Sequence, residues 1–151
     1  MWSAAGSLSW RARKAKSRDR ALVVLRLVSG GVFVVFGAGK FVNNASELAS
    51  FKTYGLPAPD AFVIVIGVVE LVGGGLVIAG VLTRPAALVL AGDMVGAIVV
   101  SGIARGELIS LTLAPAELVA MLVLLSMGPG RYVIDLGTVR SVTIRHGKRL
   151  T

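Results

Sequence analysis

Four runs of about twenty residues, each almost empty of charge, constrain this chain of 151 residues more than anything else in it. They cover 21–41, 61–82, 85–104 and 108–127. An α-helix rises about 1.5 Å per residue, so about 20 apolar residues cross the ~30 Å hydrocarbon core of a bilayer. Breakers separate the runs: "YGLPAPD" at 54–60, "TRP" at 83–85 and "ARGE" at 104–107. The expected fold is therefore all-α, an integral membrane four-helix bundle. Pro115 lies within the fourth run, where it either kinks the helix or marks its true first turn.

Composition agrees. Hydrophobic residues make up 55% of the chain and charged ones 16%, against about 25% charged in a soluble domain. The chain has no cysteine, which excludes disulfides and thiolate chemistry. His146 is its single histidine and lies in the polar tail. A bis-histidine haem within the membrane and a Glu-x-x-His di-iron centre are both excluded. The expectation is no metal site, and no cofactor held covalently or through Cys or His.

The basic residues cluster at one end of the spans. Arg11, Arg13, Lys14, Lys16, Arg18 and Arg20 precede the first span, and Arg84 sits in the turn between the second and third. Arg131, Arg140, Arg145, Lys148 and Arg149 follow the fourth, while Lys52 and Arg105 stand on the opposite side. By the positive-inside rule both termini are cytoplasmic. The chain then divides into a basic arm (1–20), a transmembrane domain (21–128) and a polar tail (129–151), in a bacterial plasma membrane. The first apolar run is too long for a signal-peptide core and has no small-residue cleavage site after it, so it reads as a retained span. The net charge of +8 is explained by anionic headgroups, at about 1 kcal/mol per basic residue near the surface. No nucleic-acid partner is expected.

Each polar exception within a span is informative, because a central charge costs about 2.5–3.5 kcal/mol to insert. The spans carry Arg26, Glu70, Asp93 and Glu117, with Lys40 near an end. Counted from the cytoplasmic end of each span, Arg26 lies about 8 Å deep, Asp93 about 12 Å, Glu117 about 16 Å, Glu70 about 18 Å and Lys40 about 28 Å. Arg26 is then expected to pair with Asp93 or Glu70. Glu70 and Glu117 share a level, and if they face each other they cannot both ionise. Glycines accompany these charges on single helical stripes: Gly30 and Gly37 with Arg26 and Lys40, Gly67 and Gly74 with Glu70, Gly96 with Asp93. Small residues of this kind let helices approach closely and bury a charge in protein instead of lipid. The cluster reads either as a register pin for the bundle or as a polar pocket for a quinone, a small solute or protons. Docking of a partner's transmembrane helix is a third reading.

Three stretches resemble the DoxX family of four-span bacterial membrane proteins. "LRLVSGGVFVVFGAGKF" (25–41) is similar to the family's first span, with its Arg, spaced glycines and closing Lys. "ELVGGGLVIAGVLTRPAALVLAGDM" (70–94) is similar to the second span running through a Thr-Arg turn into the third. "GPGRYVID" (128–135) resembles the motif that closes the fourth span, with Val133 where a Ser is usual. In that motif Gly128 and Pro129 stop the helix, while Arg131 and Tyr132 are placed to anchor it at the headgroups.

The resemblance implies a membrane bundle linked to redox physiology, since the family includes thiosulfate:quinone oxidoreductase subunits and relatives tied to sulfur-compound and oxidative-stress assemblies. The expected function is an accessory or anchoring subunit of a membrane-associated oxidoreductase, non-catalytic in itself. A quinone is its candidate ligand, and a soluble redox enzyme on the basic face formed by 11–20 and 140–149 is its candidate partner. Homo-oligomerisation is also open. The competing expectation is a transporter of small solutes or protons that uses the same carboxylates as a relay.

Overall fold

The computed structural model describes residues 4–134, with side chains from residue 14 onward. The expectations for Arg11, Arg13, Arg140, Arg145, His146, Lys148 and Arg149 concern side chains outside the described residues. Five helices follow in order: α1 (Ala4–Val42), α2 (Asn44–Thr53), α3 (Pro59–Ala79), α4 (Thr83–Ala97) and α5 (Leu108–Met127). A π-helical segment, Ile98–Ile103, prolongs α4. No strand occurs among the described residues.

Four helices are long and apolar enough to cross a membrane: α1 from Lys14, α3, α4 with its π extension, and α5. About a third of each apolar window is buried within the bundle. The rest is outward-facing aliphatic surface, with Val35 67%, Leu88 60% and Val119 60% exposed, as suits helices surrounded by lipid. The bundle is an all-α integral membrane protein.

Local sequence explains the helix ends. Pro59 opens α3 at the position where a missing N–H costs nothing, and Asp60 complements the dipole of the first turn. Gly80, at φ +77°, closes α3. The Val81 N–H donates to the Leu76 carbonyl at 3.1 Å and the Gly80 N–H to the Val77 carbonyl at 3.2 Å, the bond pair of a Schellman ending. Pro115 lies inside α5, which begins seven residues earlier at Leu108, so it does not mark the helix start.

The most extensive packing joins α1 to α3 and α4 to α5. Glycines set the first of these interfaces. A Cβ on Gly30 would stand 2.8 Å from the Gly74 carbonyl, and one on Gly37 would stand 2.7 Å from the Leu71 amide. Gly67 receives the Phe41 ring and the Lys40 stem at the same contact. The glycine triplet serves two neighbours, for Gly74 faces α1 while Gly73 meets the Leu90 side chain of α4. Phe33, Val77, Leu90, Met121 and Leu124 fill the centre, each at most 1% exposed.

Two features depart from the sequence reading. The first helix does not start at the span boundary near Ala21 but runs unbroken from Ala4, so its basic segment is a rigid continuation of the span. Residues 44–53, between the first two apolar runs, form a short helix, α2, with no buried residue.

Candidate functional site

The buried charges separate into two groups at different heights. Arg26, 4% exposed, lies level with Gly80 at the end of the bundle from which the basic helix projects. Its Nε donates to the Val77 carbonyl (2.8 Å) and Nη2 to the Ile78 carbonyl (2.7 Å). Its Nη1 donates to the carbonyls of Pro129 (3.0 Å) and Tyr132 (2.6 Å). The guanidinium therefore gathers carbonyls at the end of α3 that have acceptor capacity to spare and ties them to the segment that follows α5. Ile134 adds a backbone bond to the Ala79 carbonyl at 3.2 Å. Gly80 is packed against the guanidinium so closely that any Cβ there would collide with it.

The pairing of Arg26 with Asp93 or Glu70 is thus corrected: neither carboxylate is among its partners. Depth counting began at residue 21, yet the α1–α3 contacts place Arg26 beside the end of α3. Five donors in a rigid fork suit several carbonyls at once. Backbone acceptors leave no mark in a sequence, so this outcome was not legible there.

Lys40 takes the pairing instead. Its Nζ lies 2.8 Å from Glu70 Oε2, and the side chains are 10% and 5% exposed. The close seat of Gly37 against α3 brings the helices near enough for this contact, and the flexible Lys stem covers the remaining height. Asp93 of α4 joins the pair, within hydrogen-bonding reach of Glu70 and in the field of Lys40. A hydrogen bond between two carboxyl groups requires a proton on one of them. Glu117 of α5 stands apart from this triad, 6% exposed, with the Ser29 hydroxyl of α1 bonded to it. Asp93 Oδ2 and Glu117 Oε2 are buried without a hydrogen-bond partner.

All four of these residues line one cavity of about 540 Å³, within the range of small-molecule sites. Its walls are largely apolar and aromatic, including Phe33, Phe36, Phe51 and Phe62. It extends from the Lys40–Glu70–Asp93 triad toward α2 and the α4–α5 turn, away from the basic end. At that outer end Glu107 Oε2 accepts from Ser110 Oγ (2.7 Å) and from the Tyr54 hydroxyl (3.3 Å). Ser101, in the π-helical segment, is 3.1 Å from Ser110 and bonds the Ala97 carbonyl at 2.9 Å. Burial, and next the Glu107 charge, raise the Tyr54 phenol above its usual value near 10. Segments of π-helix frequently mark functional sites, and this one turns Ser101 into the cavity.

The structure brings together Lys40, Glu70, Asp93 and Glu117 and leaves Arg26 outside. Gly30, Gly37, Gly67 and Gly74 lie at the α1–α3 contact. Gly96 does not pack against a helix: nothing stands within 4 Å of where its Cβ would be, and it forms part of the cavity wall. Its stripe with Asp93 predicts a close helix approach, but no neighbouring helix comes within contact of it. Arg131 and Tyr132 are exposed beside the Arg26 clamp. Tyr54, Ser101, Glu107 and Ser110 are not singled out by the sequence: Tyr54 and Glu107 flank helices, where polar residues are unremarkable, and Ser101 and Ser110 are uncharged residues within apolar runs. Among the described residues no cluster of His, Cys, Asp and Glu is arranged to hold a metal.

Comparisons with known proteins agree on a family. The DoxX family model matches residues 21–103. An "Uncharacterized membrane protein Rv3486" of Mycobacterium tuberculosis is 35% identical over 133 residues, covering 76% of this chain and 79% of that one. A "Putative oxidoreductase CatD" of Bacillus subtilis is 36% identical over 84 residues, covering 56% of this chain and 61% of its own length. An "Uncharacterized protein" of Haemophilus influenzae is 38% identical over 80 residues, 52% of this chain and 57% of its own. No solved structure is similar enough to count as a match. With four membrane-crossing helices and a family match over more than half its length, this chain belongs to the DoxX family of membrane proteins.

Proposed function

We propose that the protein is a membrane subunit of an oxidoreductase assembly in the bacterial plasma membrane, and that its cavity holds the headgroup of a membrane quinone. The observation that carries this reading is the cavity itself, aromatic and apolar along its walls and polar at Lys40, Glu70, Asp93 and Glu117. A quinone has the same division, with a small polar ring on an apolar tail that the bilayer supplies. The name of the Bacillus subtilis relative supports a redox setting. The basic continuation of α1, where Lys16, Arg18 and Arg20 are exposed, is the proposed docking element for a soluble redox enzyme on the cytoplasmic side. The cavity lies toward the opposite end, so quinone binding and partner docking are separate tasks of one subunit.

The test is mild-detergent purification of the tagged protein from its native membranes, with extracted lipids and co-purifying proteins identified by mass spectrometry. Quinone near one per chain, together with a redox enzyme, is the expected result. Gly96→Leu, which fills open space in the cavity wall, should lose the quinone and keep the enzyme. Deletion of residues 1–18 should do the reverse. Absence of quinone from the wild type, combined with proton or solute flux in vesicles that Glu70→Gln abolishes, would replace this reading with transport.

A further inference from the structure

The polar groups around the cavity are unequally committed. Among the described residues, its side-chain donors are largely engaged inside the protein. The Tyr54 and Ser110 hydroxyls donate to Glu107, and Ser101 donates to the Ala97 carbonyl. Of the ammonium and hydroxyl donors on the cavity wall, Lys40 is the one with protons to spare, and Glu70 and Asp93 both compete for it. The acceptors are in the opposite condition. Asp93 Oδ2 on α4 and Glu117 Oε2 on α5 are buried, line the cavity and have no partner. Glu70 and Ser29 neighbour these two carboxyl groups, while Asp93 Oδ2 and Glu117 Oε2 themselves have no hydrogen-bond partner.

An unmet buried acceptor costs about 1–3 kcal/mol, and a ligand that supplies the missing hydrogen recovers that cost. The two redox forms of a quinone differ in just this respect. The oxidised ring presents two carbonyls, which can only accept. The reduced ring presents two hydroxyls, which can donate. We propose that the cavity binds the reduced, dihydroxy form of a membrane quinone more tightly than the oxidised form, with Asp93 and Glu117 accepting from its hydroxyls. This rests on the quinone-site reading above and assigns that site its preferred ligand state. Because a site that prefers one state shifts the equilibrium toward it, a couple bound here is more readily reduced than the same couple free in the bilayer. Anionic ligands are disfavoured by the same carboxyl groups, since the cation at Lys40 is already paired.

The experiment is equilibrium binding of a short-tailed benzoquinone and of its hydroquinone to the detergent-solubilised full-length protein, under anaerobic conditions. Hydroquinone should bind at least fivefold more tightly, and Glu117→Gln and Asp93→Asn should each reduce that ratio. Glu117→Gln is the primary variant, because it leaves the Lys40–Glu70–Asp93 triad intact. Equal affinity, or tighter binding of the quinone, overturns the proposal while leaving the quinone site standing. The second of these results would mean that the free carboxyl groups donate protons instead of accepting them. Failure of both forms to bind removes the quinone site and this inference with it.

Discussion

At the scale of single residues, the buried charges divide by what answers them. Arg26 is met by four carbonyls, and hydrogen bonds to a charged group contribute about 1.5–3 kcal/mol where they are well made. Arg26→Gln should therefore cost on the order of 3 kcal/mol in unfolding free energy and expose the 128–134 segment to limited proteolysis. Lys40 has two carboxyl neighbours, so Glu70→Gln alone leaves Asp93 to answer the ammonium. The double variant with Asp93→Asn strands it, and a buried unpaired charge costs about 3–5 kcal/mol. A double-mutant cycle should find the pair more damaging than the two single changes added together. Tyr54 tests the outer rim. Its phenol is held above the usual range, so its stabilising contribution is complete below pH ~10 and lost as the pH rises through the higher folded value. Ultraviolet titration should show a late phenol ionisation that Tyr54→Phe removes.

At the scale of elements, the same residue type has opposite meanings at different places. Gly37 and Gly74 sit where a Cβ would press on backbone at 2.7 Å, while Gly96 faces open space. Gly37→Ala and Gly74→Ala should each destabilise by about 1–3 kcal/mol through overpacking. Gly96→Ala should be neutral or gain up to about 1 kcal/mol from helix propensity. A thermal-shift series in detergent reads the order directly. The spans themselves were plain in the sequence, because apolar length alone requires them: α5 coincides with the run at 108–127 and α3 begins within two residues of its own. The α2 helix was not, since its polar composition resembles a loop and it buries nothing. The π-helical segment was hidden for another reason. It is a change of hydrogen-bond register within an apolar run, and such a run looks the same in either register.

At the scale of the whole molecule, the charges within the spans were plain in the sequence and their relative heights were not. Lys40, Glu70, Asp93 and Glu117 stood out as costly exceptions in apolar runs. That they meet in one cavity depends on how far α1 slides along α3, which the Gly30–Gly74 and Gly37–Leu71 contacts determine. The molecule is polar end to end, with a basic helix at one end and the Glu107 rim of the cavity at the other. The sided arrangement can be checked against a clean background, because the chain has no cysteine. Ser17→Cys on the basic helix should react with an impermeant maleimide only after permeabilisation, and Ser46→Cys on α2 should react in intact cells.

Photolabelling asks whether the cavity beside Lys40 and Glu70 holds a quinone. A short-tailed azido-quinone should label α4 and its π-helical extension together with α5, in a manner that unlabelled quinone competes away. Gly96→Leu should abolish that label. Labelling spread over the lipid-facing surfaces of all four spans, insensitive to competitor and unchanged in Gly96→Leu, would contradict the account.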